Sequence, residues 1–211
     1  MAKDRGVLLE PIIRKNMSQF FDGYGNGRNA KQYKKNLKLS RFQAQPNPFQ
    51  SSITYRALIK SEYPRDPNNS TGNASRRKKA ASPKFVSYLV TVRFHNVDFG
   101  DEKSDTRNQE YEVAGRTQFA AKPSVKKNRA MLRCQCRDFM MTWERPLALK
   151  GALWPNNVWT KYKRKTDFNP MEKPSPVKNP PYRNPDEKMG ICKHIQNLID
   201  YLVDNDVISQ R

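Results

Sequence analysis

Three cysteines and two histidines are the whole thiol and imidazole complement of this 211-residue chain. Four of those five side chains fall into two short pairs, Cys134-Gln135-Cys136 and Cys192-Lys193-His194, with 55 residues between Cys136 and Cys192. Three thiolates and one imidazole make a complete ligand set for one tetrahedral structural zinc ion. Such donors suit zinc better than magnesium or calcium, which take oxygen. An odd cysteine count does not close a fully paired disulfide framework. The bland alternative is three buried free cysteines and a surface histidine, since cysteine is commonly buried with no metal role.

Four ligands work only if the chain brings both pairs to one point. Ala130, Leu132, Cys134 and Cys136 alternate along one face of an expected strand, so both thiols can turn to one ion where that strand bends. Ile191, Ile195, Leu198, Ile199 and Leu202 have helical spacing over about 191–204, which puts Cys192 and His194 at a helix start. The ion would staple strand to helix. Asp138 beside the cysteines is an alternative oxygen ligand, though a turn or capping role fits that position better.

The pattern C-x-C with Asp138-Phe139 behind it, then Gly190-Ile191-Cys192-Lys193-His194-Ile195, resembles the SWIM-type zinc finger, C-x-C…C-x-H in a ββα arrangement. That resemblance implies Cys134, Cys136, Cys192 and His194 as the ligands. The spacer is longer than in ordinary SWIM fingers. With its Pro- and Asn-rich insert the pattern resembles a group of virion structural proteins of large tailed bacteriophages, through Gly151-Ala152-Leu153-Trp154-Pro155 and Asn184-Pro185 ahead of Gly190–His194. The resemblance covers about residues 84–211.

Composition sets the frame. Hydrophobic residues make up 36% of the chain, below the roughly 45–50% usual for globular proteins. A thin core gains most from a metal that adds folding free energy, or from packing against partners. Net charge is +20; the residues before Lys84 hold 17 basic and 5 acidic side chains, the remainder 23 and 15. That excess attracts polyanions without selecting nucleic acid, anionic membrane or acidic protein. No run has the length of a membrane span, and Glu10-Pro11 interrupts Val7-Leu8-Leu9 before a signal-peptide core could form. The expectation is a protein made in a cytoplasm with reduced cysteines.

Along the chain, residues 1–63 read as a basic arm with short helices. One helix follows Pro11 through Ile12, Ile13, Met17, Phe20 and Phe21, and closes at Asp22-Gly23. The glycines of Gly23-Tyr24-Gly25-Asn26-Gly27 lack the strand before and the Lys-Ser/Thr after that a phosphate loop needs. Lys31, Lys34, Lys35, Lys38 and Arg41, interleaved with Tyr33, Leu37, Leu39 and Phe42, are candidate contacts to a polyanion or a protein partner, or else a solvated face. Pro46-Asn47-Pro48 breaks that run, and residues 49–63 form a strand or a helix. Residues 64–83 read as a linker with four adjacent cations, Arg76, Arg77, Lys78 and Lys79.

From Lys84 the apolar period becomes two, with Val86, Tyr88, Val90, Val92 and Phe94 on one face of a strand and His95 on the more polar face. A second strand lies over residues 110–113, and Phe139, Met141 and Trp143 continue a fourth segment after the cysteines. The insert, residues 146–189, has 8 of the 15 prolines and is expected to form no long regular element. The fold expected is α+β: a small antiparallel sheet and a C-terminal helix joined by a Cys3His zinc site, preceded by a long basic irregular arm.

Catalysis has few candidates. A catalytic zinc keeps an open position beside three ligands, whereas this set has four. With the cysteines committed, no nucleophile pairs with a histidine in a motif, so no enzyme and no small-molecule substrate are expected. The first expectation for function is a structural component of a large assembly, a tailed-phage virion protein made in the host cytoplasm, clasping neighbouring subunits. The second is a zinc-dependent nucleic-acid-binding protein of SWIM type.

Overall fold

The computed structural model describes residues 5–15, 37–63, 84–136, 138–155 and 189–210. Its elements in chain order are α1 (Glu10–Lys15), β1 (Leu37–Asn47), a 3-10 turn (Pro48–Gln50), β2 (Ser52–Tyr63), β3 (Lys84–His95), β4 (Phe99–Gly100), β5 (Arg107–Val113), β6 (Arg116–Ala121), β7 (Ala130–Cys134), a π-helical turn (Phe139–Trp143) running into α2 (Glu144–Leu149), and α3 (Lys193–Asp204).

Four strands form an antiparallel sheet in the order β1-β2-β3-β7, and three form a second one, β4-β6-β5. In the larger sheet, Ile53, Tyr55 and Ala57 of β2 stand opposite Phe94, Val92 and Val90 of β3, and Ala130, Leu132 and Cys134 of β7 face the same three β3 residues. All of these are buried. Because side chains alternate along a strand, this apolar set is one face of the sheet. The helix α3 lies on that face: Ile195, Leu198, Ile199 and Leu202 are buried and Tyr201 meets Phe42 with ring centroids 5.3 Å apart. The smaller sheet adds Tyr111, whose hydroxyl lies 3.5 Å from that of Tyr55, and Gln109, which donates to the Val207 carbonyl at 2.7 Å.

Residues 37–63 therefore do not belong to an irregular arm. They are two of the four strands of the main sheet, paired over their whole length. Pro46 is tolerated because β1 is an edge strand, where its missing N–H leaves no ladder bond unmade. Of the expected N-terminal helix, Glu10–Lys15 is helical; its continuation to Phe21, the glycine-rich stretch and the 64–83 linker lie outside the described residues.

Three further differences lie beyond β1 and β2. The segment at Phe139, Met141 and Trp143 is helical rather than extended, and Phe139, Trp143 and Leu147 are buried at four-residue spacing. Regular structure reaches into the insert as far as Leu149, with Pro146 within α2. The 116–121 strand was not anticipated. Residues 6–7 and 152–154 close on the free edge of β7: Val7 exchanges hydrogen bonds with Ala130, and Leu132 donates to Ala152 while accepting from Trp154. No helix among the described residues is long and apolar enough to cross a membrane.

Candidate metal centre

The end of β7 and the start of α3 meet at the four residues singled out by spacing. Cys134 is the last residue of β7, opposite Val90 and on the apolar face. Cys136 lies two residues on, past the strand end, where the chain turns into the Phe139 helix. Cys192 is the N-cap of α3 in extended conformation, and His194 is in the first helical turn. One ligand atom from each of the four lies within 4.8 Å of every other, and all four residues are buried. These side chains can hold one metal ion.

Several observations test whether they fit a cation. The cysteines are free thiols, so the cluster is not explained as a disulfide. Among the described residues neither ring nitrogen of His194 has a hydrogen-bond partner, although the residue is only 2% exposed. A buried imidazole without partners is costly unless something accepts or ligates it. Backbone donors already point at the sulfurs: the Cys136 N–H donates to Cys134 Sγ at 3.4 Å and the Phe139 N–H to Cys136 Sγ at 3.3 Å. Such donors stabilise thiolates and orient them, as outer partners do around metal ligands.

Charge points the same way. Hydrogen bonds from the Cys134 and Cys192 thiols, followed by the His194 contact, pull Cys136 down toward thiolate. Burial pushes Cys134 and Cys192 up, and the neighbouring cysteines add to the rise at Cys192. A divalent cation would favour all three as thiolates, because a coordinating thiol is deprotonated outright. The positive end of the α3 dipole lies beside the same sulfurs. The donor set and its buried setting fit a soft or borderline ion.

Supporting residues were not legible from spacing. The Tyr88 ring lies 4.7 Å from the His194 ring, tilted by 50°. Arg133 of β7 binds Glu144 at 2.8 Å and the Trp154 carbonyl, tying α2 and residues 152–155 to the ligand strand. Only period-two placement of Tyr88 and Arg133 on the sheet could have signalled them. Asp138 opens the helix after the cysteines without a side-chain capping bond and stands outside the ligand cluster.

The candidate polyanion residues are not gathered into a site. Lys38 and Arg41 are exposed on β1, Arg41 at a bulge with φ 53°. Lys31, Lys34, Lys35, Arg76, Arg77, Lys78 and Lys79 lie outside the described residues. His95 is half-buried at the end of β3, and its Nε2 has no hydrogen-bond partner among the described residues. Comparison with family models, curated proteins and solved structures finds no match for this chain.

Proposed function

We propose that this chain is a structural component of a large assembly, stapled by one zinc ion and packed in part against neighbouring subunits. The observation behind the zinc assignment is the buried meeting of three sulfurs and one imidazole at the junction of β7 and α3. Four protein ligands fill a tetrahedral ion, which leaves no position for a reacting water and suits a structural rather than a catalytic role. The ion would supply cross-linking between strand and helix in a chain whose hydrophobic content is only 36%.

The particular assembly we favour is the virion of a large tailed phage, on the resemblance carried by residues 151–155 and 184–194. The long polar segments and the +20 charge suit a subunit that completes its contacts in a particle. Synthesis would be in the host cytoplasm, followed by incorporation.

Two measurements test these statements separately. Elemental analysis of protein purified without added metal, with cobalt(II) reconstitution read by thiolate-to-metal absorption, is expected to give one zinc and a cobalt spectrum lost in Cys136→Ser. Mass spectrometry of gradient-purified particles from cells bearing the gene is expected to find the chain at the stoichiometry of a structural subunit. Its appearance only in the particle-free fraction would overturn the virion reading.

A further inference from the structure

The main sheet has a second face, opposite the one that carries Cys134 and packs against α3. On it Lys38 stands directly opposite Lys60, and Arg56 opposite Gln43 on one side and Thr91 on the other. Between those two rows lie Leu58 and Leu89, cross-strand partners. Lys38, Lys60 and Leu89 are exposed; Arg56 and Leu58 are partly so. Asp138–Pro155 serve the β7 side through the Arg133–Glu144 pair and through Trp154, which lies 4.0 Å from the Arg93 guanidinium carbon. On the β1–β3 side Ser52, Thr54 and Thr91 are buried, and the side chains that reach the surface include those of Lys38, Lys60 and Leu89, with Arg56 and Leu58 in part.

On the β1–β3 side cations outnumber acids: Lys38, Arg56, Lys60 and Arg93 share the face with Glu62, two residues beyond Lys60 on β2. Lys38, Arg56 and Lys60 form no ion pair among the described residues. Arg93, 5% exposed on the same face, is held by Gln50, Ser52 and Trp154 rather than by a carboxylate. Like charges directly opposite on neighbouring strands, as at Lys38 and Lys60, disfavour the sheet unless an anion lies between them. At the tip of the β1–β2 connection, beside Gln50, Phe49 is 98% exposed. Cations on either side of an apolar pair, with a bare aromatic ring at the turn of the same hairpin, match an extended polyanion that also offers flat apolar faces.

We propose that the β1–β3 face binds single-stranded nucleic acid, with Lys38, Arg56 and Lys60 at phosphates and Phe49 stacking on a base. Arg56 and Lys60 lie about 13 Å apart along β2 at the usual strand rise, so one short run of nucleotides reaches both. A duplex would offer phosphates but hide its bases from Phe49. An acidic polypeptide would offer charge without planar rings. This inference goes beyond the assembly reading and does not depend on it.

The test is fluorescence anisotropy of labelled oligo(dT) with the full-length, metal-loaded protein across a salt series. The Lys38→Ala/Arg56→Ala/Lys60→Ala variant is expected to lower the log-log salt slope by about 2, since each phosphate contact contributes about 0.7 on single strands. Phe49→Ala is expected to weaken binding about tenfold with the slope unchanged. A control variant, Lys103→Ala/Arg116→Ala/Lys127→Ala, removes three exposed cations elsewhere and is expected to leave the slope within about 1 of the parent. Metal content and melting temperature check that every variant folds. Equal losses in the sheet and control variants, polyglutamate competing as well as oligo(dT) per charge, duplex binding as tight as single-strand binding, or no binding at physiological salt would each overturn the proposal.

Discussion

Tyr88 on β3 braces His194 on α3, their ring centroids 4.7 Å apart. The contact fixes the orientation of the one ligand that reaches the cluster through an imidazole. Partners of this kind set ligand geometry, and losing one typically costs about 10–100-fold in metal affinity. Tyr88→Ala is expected to weaken zinc retention by that order in a chelator competition, while Tyr88→Phe, which keeps the ring, stays close to the parent.

Removing the proposed zinc ion should affect more than the four residues of its site. Apparent binding free energies of structural zinc sites are about 10–16 kcal/mol, comparable with the entire stability of a domain. Chelation, Cys136→Ser or His194→Ala is therefore expected to release α3 from the sheet and to lower and broaden thermal unfolding followed by circular dichroism. Variants that melt like the parent would remove the staple from the account.

What was legible in the sequence follows from how local each signal is. The ligand pairs depend on chemistry at two-residue spacing, and α3 on a helical stripe that nothing interrupts; both lie where expected. β3 was equally plain because its alternation is unbroken. β1 was hidden by its own bulge: Leu37 and Leu39 share the parity of Ile59, but the register shift between Ser40 and Phe42 moves the apolar positions onto Phe42 and Ala44. A period-two search loses phase at such a step, and Lys38 and Arg41 then made the stretch look like a basic arm. Phe139, Met141 and Trp143 misled in the opposite sense. Their alternation imitates a strand, but the buried contacts run through Phe139, Trp143 and Leu147 at helical spacing.

The Arg133–Glu144 pair links β7 to α2 at 2.8 Å, with the Glu144 side chain only 1% exposed. Buried pairs contribute little net stability over apolar substitutes, but removing one partner strands the other charge. Arg133→Ala is expected to cost about 3 kcal/mol in denaturant unfolding. Arg133→Met combined with Glu144→Leu should recover most of that loss. If Arg133→Ala unfolds like the parent, the pair is not what holds α2 on the sheet.

His95 gives the fold an acid sensitivity apart from the metal. Burial, then the nearby Arg93 and Arg5 cations, lower its pKa from 6.5 to about 4. Above pH 6.5 the folded and unfolded chains both hold it neutral, so it contributes no pH dependence there. As pH falls from 6.5 to 4 the unfolded chain takes up the proton first, and stability is lost across that window. His95→Gln is expected to flatten this part of the melting-temperature profile. The effect is read as the difference between variant and parent, because ligand protonation lowers both curves together.

Gly6 is the residue through which the N-terminal segment reaches the free edge of β7. Its φ is +95°, and a Cβ there would lie 2.8 Å from the Ala130 carbonyl oxygen. The same segment carries the Gly6 N–H to the Gly151 carbonyl and the Val7–Ala130 exchange. Gly6→Ala would meet both an unfavourable backbone conformation and a backbone clash, neither of which a rotamer change relieves. A loss of about 2 kcal/mol is expected, with faster amide exchange at Val7 and Ala130 than at Val90 or Val92 in the sheet centre. Such a pattern would mean that residues 6–7 close the sheet edge nearest the metal centre, whereas uniform exchange across β7 and β3 would mean the edge is held without them.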